Sequence, residues 1–395
     1  VDVFKKCHDY YPMVRDAKKS GFYPYFRAID SEPDRRVIIQ GKDLLMLGSN
    51  NYLGLTTHPK LKEAAIAAVR KYGTGCTGSR FLNGTLDLHE ELERSLAEFM
   101  RKEDCLCFPT GFQVNLGVIS SIVRRGDYVI TDKLDHASIM DGCQLSSGKM
   151  KRYQHNDMAS LRHAMESLEP GAPALIVSDG IFSMDGDIVK LPELLPVAAR
   201  HHARVMIDDA HSIGVLGKRG AGTAEYFGFE DRVDLVMGTF SKSFATIGGF
   251  VVGDREVITF IRHQARSLMF SASIPPPAAA TVLAALEVIK SEPERRERLW
   301  QNTNRMLKGL KAMGYNIGTA ETPIIPLLIG DMTETISFWH DLYEAGVFAN
   351  PVVPPAVPPN ASLIRTSYMA THTDDDLDQA LEILERIGRK RGILR

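Results

Sequence analysis

Five short apolar runs, each ending on a small or polar residue, constrain the fold of this chain more than any other feature. They are Asp-Tyr-Val-Ile-Thr-Asp (127–132), Ala-Leu-Ile-Val-Ser-Asp (174–179), Arg-Val-Met-Ile-Asp-Asp (204–209), Asp-Leu-Val-Met-Gly-Thr (234–239) and Gly-Phe-Val-Val-Gly-Asp (249–254). Continuous apolar runs of this length are strands buried on both faces. Helix-like spacers such as 158–168 and 194–202 separate several of them. Strand–helix–strand units at roughly 30-residue spacing predict a mostly parallel α/β sheet. No helix fits between 239 and 249, so one strand of that pair is expected to run antiparallel.

The ends of the chain read differently. The first 45 residues hold an amphipathic start and an aromatic cluster, Gly-Phe-Tyr-Pro-Tyr-Phe-Arg (21–27). Beyond about residue 280 the pattern turns to a long helix (278–291) followed by shorter strand and helix segments. The segment 351–360 carries five prolines and is expected to be an extended loop. The expected organisation is an N-terminal arm (1–45), a large sheet domain (46–284) and a small C-terminal α+β domain (285–395).

Composition excludes several function classes. Lys+Arg 47 against Asp+Glu 49 gives a net charge of −2, which offers no electrostatic basis for wholesale nucleic-acid binding. The 5 cysteines are too few and scattered for a disulfide framework, and Cys105 and Cys107 match no common zinc spacing. Reduced thiols and no bound metal are expected. The opening Val-Asp-Val-Phe-Lys-Lys lacks the apolar core of a signal peptide. No apolar stretch approaches the ~18 residues of a membrane span. These features predict a soluble, cytoplasmic protein, without the repeats of a solenoid or propeller.

In open α/β sheets, ligands bind beyond the carboxyl ends of the strands. Asp132, Asp135 and His136 follow one predicted strand, and Ser178, Asp179 and Ser183 another. Asp208, Asp209 and His211 follow a third, and Thr239, Ser241 and Lys242 a fourth. An acid, two imidazoles and a lysine therefore converge on one crevice. Lys242, in Gly-Thr-Phe-Ser-Lys-Ser-Phe (238–244), has hydroxyl neighbours and is followed by Gly248-Gly249. It could be a surface lysine, or an amine sheltered for condensation with an aldehyde cofactor. Thr239 and Ser241 could hold that cofactor's phosphate.

Other residues carry two readings each. Asp208 could cap the next helix, or lie under a pyridine nitrogen and keep it protonated, the partner an electron-sink ring requires. His211, three residues on, could then donate to a ring oxygen. His136, in Asp-His-Ala-Ser (135–138), could be a satisfied loop histidine or an aromatic platform over a planar ring. Gly111-Phe112 precede an apolar helix-like stretch whose N-terminal amides suit a phosphate. Gly-Thr-Gly-Cys-Thr-Gly-Ser-Arg-Phe-Leu-Asn-Gly-Thr (73–85) is a structural loop or part of a site, and Arg365 is a salt-bridge partner or a fork for a substrate carboxylate.

Taken together, Ser-Asn-Asn-Tyr-Leu-Gly-Leu (49–55), Asp-His-Ala-Ser (135–138), Asp-Gly-Ile-Phe-Ser-Met-Asp-Gly (179–186), Asp-Asp-Ala-His-Ser-Ile-Gly (208–214), Gly-Thr-Phe-Ser-Lys (238–242) and Ile-Arg (364–365) resemble the α-oxoamine synthases. The resemblance runs from about residue 20 to the C-terminus. These are fold-type I enzymes of pyridoxal 5'-phosphate, so it implies an aspartate aminotransferase-like fold with a large, mostly parallel sheet domain and a small C-terminal domain. Within the family, the 73–85 loop and Tyr-Phe-Arg (25–27) look most like the serine-using branch.

The resemblance also implies roles. Lys242 would carry the cofactor and move the substrate's α-proton. Asp208 would pair with the pyridine nitrogen and His211 with the phenolic oxygen. His136 would stack on the ring and help orient the substrate carboxylate. Gly111, Phe112, Ser183, Thr239 and Ser241 would surround the cofactor, the last two near its phosphate. Arg365 would bind the amino-acid carboxylate. Asn50 and the 73–85 loop, with Ser79, would lie at the site partly across a subunit boundary, and Ala272 of the partner subunit would reach the phosphate. Arg27 falls in the segment near which relatives admit the acyl donor.

The activity so implied is a decarboxylative Claisen condensation of L-serine with a long-chain acyl-coenzyme A, by a homodimer with composite sites. The rivals are glycine or alanine with a shorter thioester, and a cofactor-free partner subunit. The lipid-like product also raises the reading of a peripheral membrane protein. No basic amphipathic segment is strong enough for more than weak membrane contact.

Overall fold

All five apolar runs form strands, Tyr128–Asp132, Ala174–Asp179, Arg204–Asp208, Leu235–Thr239 and Gly249–Gly253, in the computed structural model, which describes residues 2–394. Two further strands complete a seven-stranded sheet. Its order is Asp104–Phe108, Gly249–Gly253, Leu235–Thr239, Arg204–Asp208, Ala174–Asp179, Tyr128–Asp132, Lys149–Tyr153. The Gly249–Gly253 strand runs antiparallel to both its neighbours, Leu235–Thr239 and Asp104–Phe108. The other pairs are parallel. The short connection after Thr239 thus makes an antiparallel return, as its length requires.

Burial explains which strands the sequence displays. Every residue of Tyr128–Asp132, Leu235–Thr239 and Gly249–Gly253 is buried. The edge strand Lys149–Tyr153, Lys-Met-Lys-Arg-Tyr, is largely exposed, and its charges blunt an unpaired edge. One apolar face of the sheet packs against the helix Gly111–Ile122 through Val114, Val118 and Ile119.

The chain divides into two compact units, residues 50–299, and residues 1–49 with 300–395. The division therefore lies at 49/50 and 299/300 rather than at the expected 45 and 284. The expected boundary at 284 falls inside the helix Pro276–Ser291. Within the segment expected to be an arm, the strands Arg36–Ile39 and Lys42–Met46 form one sheet with Val347–Phe348, while the helix Lys5–Lys19 buries none of its residues. A second sheet in that unit has Ser362–Ser367 between Ile324–Gly330 and Asn350–Val352. The proline-rich segment expected to be loop starts inside that last strand. Pro351 is tolerated there because the strand is an edge. The core of this unit gathers Trp339, Phe338, Ile364 and Leu384. No described helix is long and apolar enough to cross a membrane.

In the larger unit the glycine-rich segment 73–85 is tied down by one buried ion pair. Arg80 donates through both Nη atoms to Glu93, at 2.8 and 3.0 Å, and Glu93 also accepts the Cys107 amide at 2.9 Å. Ser273 donates its amide to the Gly78 carbonyl at 3.0 Å. Glu93→Ala leaves a buried guanidinium without its partner and should cost about 3–5 kcal/mol. The double variant Arg80→Ala/Glu93→Ala should recover part of that loss, because the stranded charge is gone. Urea unfolding of both proteins checks this, and equal or additive losses would contradict it.

Candidate active site

A cleft of about 340 Å³ opens at the carboxyl ends of the parallel strands in the unit of residues 50–299. One part of its wall is built for an anion. Thr110 caps the helix Gly111–Ile122, its Oγ1 accepting the Gln113 amide at 3.2 Å. The amides of Gly111 and Phe112 keep no acceptor among the described residues. Beside them lie the hydroxyls of Thr239 and Ser241, 2.9 Å apart, with Thr239 Oγ1 also donating to the Gly248 carbonyl at 3.1 Å.

Two glycines make this approach possible. A Cβ on Gly111 would lie 2.7 Å from Thr239 Oγ1, and one on Gly249 would lie 2.7 Å from the Gly111 Cα. Helix N-terminus, strand end and hydroxyls therefore form a cradle of the size and polarity that phosphate needs.

Asp208, which ends the Arg204–Asp208 strand, supplies a buried carboxylate to the same cleft. Its Oδ2 accepts from Asn115 Nδ2 at 2.7 Å and its Oδ1 from the Ala210 amide at 2.9 Å. Burial, then the charges of Asp208 and Asp135, push the Asp179 carboxyl well above its ordinary range. Burial and Asp132 do the same to Asp135. Asp209 points away from the cleft chemistry. It accepts from Thr223, and burial raises it to about 6 against those hydrogen bonds. An anion cradle and a buried carboxylate in one cleft match the phosphate and the ring nitrogen of pyridoxal phosphate.

The histidines are held by their own networks. Asp135 accepts the amides of Asp132 and Asp179, at 2.7 and 2.9 Å, and Asp179 accepts the His136 amide at 3.2 Å. This carboxylate ladder joins two strand ends and fixes the turn that carries His136. His136 then caps the helix Ala137–Leu145. Burial lowers the His136 pKa, Lys242 lowers it further, and Asp208 opposes both. His211 contacts the Tyr52 hydroxyl at 2.7 Å through Nδ1.

Of the residues singled out in the sequence, Lys242, His136, Asp208, His211, Gly111, Phe112, Ser183, Thr239 and Ser241 all line this cleft. Asn50, Ser79 and Ala272 do not. Asn50 accepts from the Tyr52 hydroxyl at 3.4 Å. Ser79 is buried, and its hydroxyl has no hydrogen-bond partner among the described residues. Ala272 follows Ser271, whose hydroxyl accepts from Gln113 at 2.9 Å. Arg365 and Arg27 belong to the other unit. There Arg365 is buried in its strand and donates to Ser367 at 3.0 Å. Arg27 donates to the Tyr23 carbonyl at 2.9 Å and lies 4.6 Å from the centre of the Tyr343 ring. Asn115, Ser138 and Tyr52 escaped the sequence reading. A polar Asn115 inside the apolar run 111–122 was the available signal.

Residues 42–384 match the family model described as aminotransferase class I and II. The chain is 52% identical over 384 residues to a serine palmitoyltransferase of Sphingobacterium spiritivorum, covering 97% of this chain and 96% of that one. It is 42% identical over 382 residues to an 8-amino-7-oxononanoate synthase of Thermoanaerobacter pseudethanolicus, covering 96% and 97%. The structure of serine palmitoyltransferase from S. paucimobilis with a bound PLP–myriocin aldimine superposes with a TM-score of 0.97, at 36% identity and 100% coverage of both chains.

The strand end that carries His136 rests on a further charged group. His155 bridges Asp132 and Asp187, with contacts of 3.1 and 3.0 Å. Burial disfavours its charge, but hydrogen bonds to the two carboxylates outweigh it and raise the pKa from 6.5 to about 10. The raised value means His155 stabilises the fold fully below pH 6.5, and loses that contribution as the pH climbs towards 10. His155→Gln should therefore lower the urea midpoint most at pH 6 and least near pH 10. A gap between the two proteins that is constant across this range would refute the assignment.

Proposed function

The chain belongs to the aminotransferase class I and II family, and we propose that its activity is that of a pyridoxal-phosphate-dependent serine palmitoyltransferase. The reaction is the condensation of L-serine with a long-chain acyl-coenzyme A, palmitoyl-coenzyme A in the first instance. It yields 3-ketosphinganine, coenzyme A and carbon dioxide, the first step of sphingolipid synthesis. One observation carries this reading: a single cleft joins the anion cradle, the buried Asp208 carboxylate and the Lys242 side chain. The choice of substrate is supported by relatives named serine palmitoyltransferase at 48 to 52% identity, against 42% for the 8-amino-7-oxononanoate synthase.

Bound pyridoxal phosphate supplies an electron sink for the bonding pair released at the amino-acid α-carbon. The residues of the chain do the rest. Thr239, Ser241 and the amides of Gly111 and Phe112 hold the phosphate. Asp208 keeps a proton on the ring nitrogen by charge pairing, and His211 pairs with the ring oxygen. His136 covers the ring, and Ser183 lines the same wall. Lys242 Nζ would hold the cofactor's aldehyde carbon and, once released, would move the proton at the amino-acid α-carbon. The family resemblance, and not the cleft of residues 50–299, assigns Arg365 to the amino-acid carboxylate and Arg27 to the acyl-donor segment.

The working unit is a homodimer with composite sites. Asn50, Ser79 and Ala272, which do not line the cleft of their own chain, serve the cleft of the second subunit. A cytoplasmic location fits the free cysteines and the coenzyme A substrate.

Lys242→Ala should abolish turnover while the protein stays folded and binds the cofactor weakly. Borohydride reduction of the wild-type enzyme followed by peptide mapping should label Lys242; a label on another lysine would sink the assignment. The acyl preference gives a second test. Each methylene buried adds roughly 0.8 kcal/mol, so extending the donor from eight to sixteen carbons adds at most about 6 kcal/mol. With L-serine, kcat/KM should rise steeply with chain length and then level off. A flat profile, or glycine or alanine outcompeting serine, would move the chain to another branch of the family.

A further inference from the structure

The proton positions along one chain of hydrogen bonds in the cleft can be assigned from geometry. Asn115 Nδ2 lies 2.7 Å from Asp208 Oδ2 and 2.8 Å from Ser138 Oγ. The amide must face this way, because the flipped amide would set two oxygen acceptors against each other at the carboxylate. Both Asn115 N–H bonds are thereby used, one on each partner.

Ser138 Oγ accepts one of them and has a single proton to give. It lies 2.7 Å from His136 Nδ1. The Ser138 backbone amide also donates to that same nitrogen, at 3.2 Å. A backbone N–H can face only a ring nitrogen that carries a lone pair, so His136 Nδ1 is unprotonated and the hydroxyl donates to it as well. The imidazole also sits at the N-terminus of the helix Ala137–Leu145, where the helix dipole disfavours a cation.

We infer that Asn115 and Ser138 are positioning residues that lock His136 as the neutral Nε2–H tautomer, tying its orientation to the carboxylate of Asp208. The relay runs from Asp208 through Asn115 and Ser138 to His136, three hydrogen bonds with every donor directed. Its product is a fixed donor, the Nε2–H, on a ring that lines the cleft with Phe112 edge-on at 6.4 Å. A donor of this kind recognises an acceptor such as a carboxylate, and it would refuse a cation. The remaining charged groups acting on the ring are Asp208, Lys242 and Asp141. None of them occupies Nδ1.

The substrate arm of the test rests on the proposed serine-using activity, and the structural arm does not. The chain has 12 histidines, so holoenzyme labelled with ¹⁵N-histidine is compared with His136→Gln to identify the His136 nitrogens. The wild type should show an unprotonated Nδ1 and a protonated Nε2. Ser138→Ala should shift the Nδ1 resonance, which loses one of its two donors, and Ser138→Thr, which keeps the hydroxyl, should restore it. Asn115→Ala should shift the same nitrogens although it touches no atom of His136.

In kinetics, Ser138→Ala should raise the KM for L-serine about tenfold, the size of one hydrogen bond to a charged group. The KM for acyl-coenzyme A should stay within about twofold, and Ser138→Thr should return the serine value. A protonated Nδ1 in the wild type, or a Ser138→Ala protein with unchanged nitrogens, overturns the relay. The assigned tautomer in a protein that does not use serine would sustain the relay and defeat the proposed substrate.

Discussion

The buried carboxylate of Asp208 is the constraint around which the cleft is organised. An ionised carboxylate out of water is costly unless it is hydrogen-bonded or paired. Asn115 and the Ala210 amide supply two of the bonds it needs. The next carboxylates along the sheet, Asp179 and Asp135, are pushed up by burial and by their acidic neighbours. They serve instead as acceptors for the backbone amides of His136, Asp132 and Asp179. The Asp208 carboxylate thus stands where a cationic ring nitrogen would meet it. The surrounding acids hold the strand ends in place.

The opposite end of the cleft depends on the absence of side chains. Gly111 and Gly249 let a helix start, a strand end and the Thr239 hydroxyl approach within van der Waals distance. Any Cβ at either position would separate donors that act together. The cradle and Asp208 are both set by the rigid sheet, Thr239 and Asp208 each ending one of two adjacent parallel strands. The spacing between the two binding ends is therefore a property of the sheet and not of loops.

Much of this was legible in the sequence because burial writes itself into composition. The strands that end on Asp132, Asp179, Asp208 and Thr239 are covered on both faces, so they read as unbroken apolar runs with their chemistry at the end. The strand Lys149–Tyr153 was hidden because its edge position selects lysine and arginine. Asp104–Phe108 was hidden by its two cysteines, which drew a question about metal spacing instead of one about β-structure. The division of the chain was misjudged because a sheet can be built from distant segments. Nothing in 36–46 alone says that Val347–Phe348 will pair with it. Asn115 and Ser138 were missed for a related reason: each acts on a neighbour distant in the chain or through a single hydroxyl, and neither residue type signals that role by itself.

His136 and His155 show how far surroundings, and not residue type, decide chemistry at these strand ends. Both imidazoles stand just past adjacent strands. His155 lies between Asp132 and Asp187, whose carboxylates make the charged form the stable one. His136 accepts a backbone amide at a helix N-terminus, with Lys242 nearby, and these disfavour a second proton, while Asp208 opposes them. The same side chain is thus a cation at neutral pH in one place and a neutral directed donor in the other. The cation braces Asp132, which in turn holds the turn through the amide of Leu134. One histidine carries charge and braces the scaffold; the other stays neutral at the mouth of a helix.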